Sequence, residues 1–357
     1  MSISRDSNFK CIDFNEDLKL VYNRAKKLKG IITDNNSNTV VQNFQVPIEY
    51  VIGKDTNAIK DSIREFPISL FKYVEGTSIR VYFWNGDWRI STTSRLDANT
   101  SFWSKSSSFG SLFSDLVTSI TGVPIEVFLM SLNKDRIYFF TLPTTGTNRI
   151  GTKYELNNFF LMGIQENDKL LYGKNLPKDE VNAWMYLEDI HVDSMESLET
   201  LLSKDNTEND SFLGYLFYPD MDSNNQVIKI LTEQYFSRCR LRDNQSNLYF
   251  RYLELKKSQD DEQCLKLIDM YPEISFTKEI DMKLDKLCKF LHKMYINRYV
   301  YKEYIVLDRI YFNILKRIHT LYIEKRRPTT VYHIKDIIYE NDPPVILSLI
   351  RKFSYSP

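Results

Sequence analysis

The sequence predicts an α+β protein, with an antiparallel-sheet domain over residues 1–259 followed by an all-helical domain over residues 260–357. Three observations predict it. An Asn-Gly pair sits between two β-rich runs at Asn85 and Gly86, and short apolar runs bounded by turn residues recur as far as Leu231. From about residue 260, apolar residues recur at three- and four-residue steps. A chain of 357 residues suits two domains of about 100–200 residues each. Its 43% hydrophobic and 26% charged residues are an ordinary globular balance, and eleven Gly and eleven Pro argue against long flexible linkers.

The elements follow in order. Residues 18–29 predict a helix, with Leu18, Leu20, Val21 and Ala25 partly on one face, and Asp34 to Asn38 a loop. Val46 to Ile52 predicts a strand closed by Gly53. Ile79 to Trp84 and Asp87 to Thr92 predict a hairpin, because a type I′ turn needs φ > 0 at both central residues and Asn-Gly supplies it. Ile79, Val81 and Phe83 share one face of it, and Arg80, Tyr82 and Trp84 the other. Ser111 to Ile120 predicts a short helix, Ile125 to Met130 and Arg136 to Leu142 buried strands, and Pro143 to Asn148 a loop. Phe212 to Tyr218 and Gln226 to Leu231 predict strands on either side of a turn at Asp220 to Asn225. In the helical part, Leu284, Leu287, Leu291 and Met294 mark one helix, and Leu307, Ile310, Ile314, Ile318 and Leu321 a second. Thr329 or Thr330 caps a third carrying Ile334, Ile337 and Ile338, and the prolines after Asp342 open a fourth.

Charge excludes several functions. With 47 basic and 47 acidic residues there is no global basic field, so any nucleic-acid surface must come from segregated charge. Residues 186–210 are acidic and residues 283–327 basic, with Lys316, Arg317, Lys325, Arg326 and Arg327 the candidate RNA-binding residues. Cys11, Cys239, Cys264 and Cys288 form no zinc spacing and read as reduced thiols. His191, His292, His319 and His333 are scattered, so no metal site is expected. No phosphate-binding loop or G-x-G-x-x-G motif occurs. The polar N-terminus and the lack of an apolar run of about 18 residues lead to the expectation of a cytoplasmic protein without membrane contact.

One set of residues carries a resemblance. Glu75 to Thr77, Ile79–Arg80, Asn85–Gly86, Trp88, Ile90 to Thr92, Arg95, Asp97–Ala98, Ser101 and Trp103 form a run that resembles the RNA-ligase-like nucleotidyltransferases of large DNA viruses and virus-like elements. Thr147 to Ile150 resembles the N-R-I element of phage-type RNA ligases, and Val227 to Ile230 their last lysine-bearing strand. Leu241 to Asn244, Phe250 to Leu255, Met270 to Glu273 and Ile318 to Tyr322 extend it over roughly residues 65–357. The resemblance implies a nucleotidyltransferase, ligase-like sheet domain before the helical one. It also implies a lysine that attacks the α-phosphate of ATP or GTP from a K-x-D-G motif.

That lysine position is Tyr73 here, and Lys72 precedes it by one residue, which in an extended segment turns it to the other face. The family's acids before the N-R-I element and in its E-G-x-V strand are missing from Phe139 to Leu142 and Phe212 to Tyr215. What remains for a nucleotide or phosphate pocket is Glu75, Arg80, Arg95, Arg149 and Lys229. The expectation is a catalytically degenerate protein with no cofactor, binding tRNA or RNA ends and protecting them from, or blocking, a ribonuclease toxin. An active ligase would use Lys72 or Lys229 with ATP or GTP and Mg²⁺. A third reading is a protein-binding immunity module, in which the acidic segment meets a nuclease or toxin without RNA.

Overall fold

The computed structural model describes residues 9–23, 28–44, 46–103, 107–143, 149–152, 157–167, 169–178, 185–204, 212–219, 226–272, 277–326 and 328–354. It divides into two compact units, Met1–Arg240 and Leu241–Pro357. The division falls earlier than the change in sequence pattern near residue 260, because helices begin soon after the last strand.

In the first unit, β1 (Phe9–Phe14), β2 (Leu18–Asn23), β3 (Leu28–Asp34) and β4 (Thr39–Val41) form an antiparallel sheet in chain order. The helix expected over residues 18–29 is therefore corrected to two strands. Leu18 and Leu20 are buried with half-buried Lys19 between them, a two-residue period that a short window confuses with a helical face. Next come β5 (Ile48–Val51), α1 (Thr56–Ser62), β6 (Ile68–Lys72), β7 (Gly76–Trp84) and β8 (Asp87–Thr92). The β7–β8 hairpin turns through Asn85 at φ 50° and Gly86 at φ 90°, as the Asn-Gly pair requires, with Trp84 opposite Asp87.

Then follow α2 (Phe109–Thr121), α3 (Ile125–Ser131), β9 (Ile137–Pro143), β10 (Phe160–Glu166) and β11 (Lys169–Tyr172). The strand expected at 125–130 is a helix: Pro124 precedes its first turn, and Phe128, Leu129 and Leu132 are buried at helical spacing. The loops expected at 144–148 and 220–225 lie outside the described residues. Last are β12 (Asp189–Val192), α4 (Met195–Lys204), β13 (Gly214–Phe217), β14 (Ile228–Leu231) and α5 (Glu233–Arg242).

Two five-stranded sheets result, in the orders β11-β10-β9-β7-β8 and β12-β6-β13-β14-β5. Their described pairings are antiparallel apart from β14 with β5, which is parallel. Both faces of the first are covered. Ile79 and Val81 pack with Phe113, Val117, Phe128 and Phe140 under α2 and α3, while Tyr82 and Phe139 pack with Leu18, Leu20, Ile32 and Val41 of the N-terminal sheet. The second sheet buries Leu70, Tyr215 and Ile230 against Ile59, Leu198 and Leu202 of α1 and α4. Its other face packs Phe71, Tyr73 and Leu216 against Phe160 and Met162 of β10.

The second unit contains α6 (Leu248–Lys257), α7 (Asp261–Met270), α8 (Thr277–Tyr295), α9 (Arg309–Lys325), α10 (Val331–Tyr339) and α11 (Pro343–Ser354). Leu284, Leu287, Leu291, Leu315, Ile318, Ile334, Ile338 and Ile346 form its core, each burial stabilising by about 1.5–3 kcal/mol. Thr330 caps α10 in a reciprocal box with His333. The four cysteines are free thiols, with Cys264 and Cys288 buried. No single described helix is long and apolar enough to cross a membrane. The α2–α3 pair, apolar enough only when taken together, is bent by 78° and buries Phe113, Val117, Phe128 and Leu129 in the core.

Candidate functional site

The chain leaves β6 at Lys72 and enters β7 at Gly76, and the three residues between them set the site. Alternation along β6 sends Phe71 and Tyr73 into the apolar layer between the sheets. Lys72 instead forms an ion pair with Glu188, Nζ to Oε2 2.7 Å. Lys229 on β14 lies opposite Glu49 in the parallel β5–β14 ladder. Its Nζ lies 4.3 Å from the centre of the Tyr73 ring and 2.9 Å from Glu49 Oε1. Burial alone would lower the Lys229 ammonium, but Tyr73 and then Glu49 outweigh it and hold the group above its ordinary value. The charged form of the amine is thereby favoured.

The Tyr73 hydroxyl is 3.4 Å from that of Tyr235 on α5, with the two rings edge to face at 5.7 Å. Burial pushes the Tyr235 phenol up, Tyr73 and Glu75 add to this, and burial raises the neighbouring Cys239 thiol to about 11. Neither group is a nucleophile at neutral pH.

Glu75 is buried beside this cluster. Its carboxylate accepts from the backbone N–H groups of Ile150 (2.6 Å), Gly151 (2.6 Å) and Thr152 (3.2 Å). Arg238 on α5 donates through Nε to the Gly151 carbonyl at 2.6 Å. Gly151 must be glycine, since a Cβ there would run into the Tyr235 ring and Cys239 Sγ. Glu75, expected in a phosphate pocket, thus holds Ile150 to Thr152, the end of the N-R-I element and the two residues after it, beside α5. Thr147 and Asn148 of that element lie outside the described residues, and Arg149 is buried next to the bracket.

The remaining candidates separate. Arg80, expected in a phosphate pocket, forms a strut: it is fully buried and its guanidinium donates to the carbonyls of Gly30 and Thr92. Arg95 is half-exposed and pairs with Asp13 at 3.5 Å on the N-terminal sheet. Of the sequence's pocket residues, Lys229 lies on Tyr73 and Glu75 beside Tyr235, Arg149 is buried next to Ile150, and Arg80 and Arg95 bind elsewhere. In the second unit Lys316, Arg317 and Arg326 are exposed, and Arg317 is tied to Glu340. The Lys325 side chain and Arg327 lie outside the described residues. Glu49, Tyr235, Arg238 and Cys239 were missed, because no spacing rule links residues on a separate strand and helix to Tyr73.

A ligase-type reaction needs carboxylates to carry a divalent ion beside the nucleotide. Among the described residues no group of three or more His, Cys, Asp or Glu could hold one. Glu75 is engaged with backbone N–H groups and Glu49 with Lys229.

No protein-family model matches the chain. It is structurally similar to ATP-dependent DNA and RNA ligases. An Aquifex aeolicus protein assigned as an ATP-dependent DNA ligase aligns with a TM-score of 0.46 and 11% identity over 77% of this chain and 70% of that one. Two forms of an archaeal ATP-dependent RNA ligase give 0.43 and 0.41, also at 11% identity, over 74% and 89% of this chain and 73% and 84% of theirs. Among curated proteins the chain is distantly related to the immediate-early protein ICP-46 homologs of two iridescent viruses. It is 26% identical over 309 residues to that of Invertebrate iridescent virus 6, covering 78% of this chain and 66% of that protein. To that of Invertebrate iridescent virus 3 it is 22% identical over 237 residues, covering 63% and 48%. The chain spans less than two thirds of the length of both.

Proposed function

We propose that this chain is a ligase-like nucleotidyltransferase relative that no longer forms a lysyl–nucleotide intermediate. It acts by binding tRNA or RNA ends, shielding them from or blocking a ribonuclease toxin. The observation that carries the first part is Tyr73. It occupies the nucleophile position at the exit of β6, while Lys229 rests on its ring paired with Glu49, and Lys72 is turned away onto Glu188. A phenol in this place supplies no amine for nucleotidyl transfer. Incubation with α-labelled ATP or GTP plus Mg²⁺ or Mn²⁺ is expected to leave the protein unlabelled on a denaturing gel, beside a working ligase. An acid-labile adduct mapped to Lys72 or Lys229 by mass spectrometry would overturn this reading.

The RNA part is supported by the basic bias of α8 and α9, with Lys316 and Arg326 exposed and outside any ion pair among the described residues. With about five phosphate contacts, affinity for single-stranded RNA is expected to fall about a hundredfold for a fourfold rise in salt. Reversing Lys316, Arg317, Lys325, Arg326 and Arg327 to Glu should flatten that dependence. If affinity and salt slope are unchanged, these helices are not the RNA surface. A tight protein partner in nuclease-treated samples, with no RNA affinity, would favour the protein-binding reading instead.

A further inference from the structure

Resting on the RNA-binding reading above, we propose that the end of α8, the turn after it and the C-terminal half of α9 form a stacking platform for the bases of single-stranded RNA. Ile296–Val300 continues α8 as a π turn, a wider coil often found at functional sites. It brings Tyr299 onto α9. The Tyr299 and His319 rings stack at 3.9 Å and 19°, and those of His319 and Tyr322 are nearly parallel at 6.0 Å and 15°. Tyr295 closes the inner end of this column, 5.2 Å from Tyr299, with its hydroxyl 3.4 Å from His319 Nδ1. Tyr322 ends it at the surface, 44% exposed. A nucleobase can join the column there as one more ring. Burial, then the charge of Lys302, lowers His319 from its usual imidazole value, so the middle ring is uncharged at neutral pH.

The rim is basic. The Arg298 guanidinium lies 5.8 Å from the Tyr299 ring centre and 4.6 Å from that of Phe312, and Lys316 reaches the other side of the same patch, 4.9 Å from Phe312. Arg326 closes α9 one turn beyond Tyr322, its N–H donating to the Tyr322 carbonyl at 2.8 Å. Arg298, Lys302, Lys316 and Arg326 form no ion pair among the described residues. The exposed acids of the stretch are Glu303, Glu324 and Asp308, the last paired with Lys352 at 2.5 Å. Exposed apolar side chains gather in the same stretch: Tyr301 at 67%, Tyr304 at 90% and Val306 at 82%. They lie in the connection between the π turn and α9. Aromatic faces inside a basic rim fit a polyanion with unstacked bases, and a duplex, whose base faces are covered, fits poorly.

The test is anisotropy of the full chain with a short fluorescein-labelled oligouridylate and with an RNA duplex of equal length. The single strand is expected to bind more tightly than the duplex. Tyr322→Ala should weaken single-strand binding about tenfold, and Tyr322→Phe, which keeps the ring, should bind within about twofold of the parent. Circular dichroism should be unchanged, since Tyr322 is exposed. If the parent binds the oligonucleotide and Tyr322→Ala binds it equally well, the platform is overturned and the RNA reading stands. If the parent has no affinity even at low salt, both fall.

Discussion

Glu75→Ala is expected to destabilise the first unit by about 3–5 kcal/mol, from the loss of three hydrogen bonds to a charged acceptor, each worth about 1.5–3 kcal/mol and partly recovered by water. The carboxylate satisfies the N–H groups of Ile150, Gly151 and Thr152, and without it these donors lie beside the buried Tyr235 with no carboxylate acceptor. Glu75→Gln keeps one oxygen acceptor and should fall between parent and alanine. Urea unfolding followed by tryptophan fluorescence reads this unit selectively, because Trp84, Trp88, Trp103 and Trp184 all precede residue 241. A loss below about 1 kcal/mol, the net worth of an ordinary hydrogen bond, would show that Glu75 does not hold the 149–152 segment. If nucleotide affinity vanished while stability held, Glu75 would return to the phosphate pocket that the sequence suggested.

Arg80→Ala should cost a similar amount, about 3–5 kcal/mol, by a different route: a cavity the size of the lost side chain and two buried carbonyls without donors. The guanidinium is fully buried, and burial lowers it to about 10, so it still carries its charge at neutral pH. It joins the Gly30 carbonyl of β3 to that of Thr92 at the end of β8. Arg80→Lys should recover only part of the loss, since an ammonium cannot spread two donors across both carbonyls as a planar fork does. The same fluorescence-detected unfolding measures both variants. An Arg80→Ala protein as stable as the parent would refute the strut.

The contrast between Arg80 and Tyr73 shows how far each was legible. The hairpin could be read in full: Asn85 and Gly86 alone supply the positive φ that a two-residue turn demands, and alternation then assigns the faces. Alternation does not reveal what covers the polar face. Arg80 was grouped with a phosphate pocket, and the N-terminal sheet that packs over Tyr82 and receives Arg80 at Gly30 was misread at its second and third strands. Tyr73 and Lys72 were assigned to opposite faces by the same parity rule, and their neighbours agree: one lies under Lys229, the other on Glu188.

By itself, the sequence determined what depends on local periodicity and turn chemistry. That covers the α+β class, the Asn-Gly hairpin, a cap at Thr329 or Thr330, and the absence of a lysine where the resemblance requires one. Tertiary structure alone decided which buried groups meet. Glu49 reaches Lys229 across a parallel ladder, α5 brings Tyr235 and Cys239 to Tyr73, and the π turn sets Tyr299 on His319. Residues far apart in the chain become neighbours only through sheet order and helix packing. A contact made that way leaves no periodic trace in one sequence, whereas a turn or a cap is written in adjacent residues.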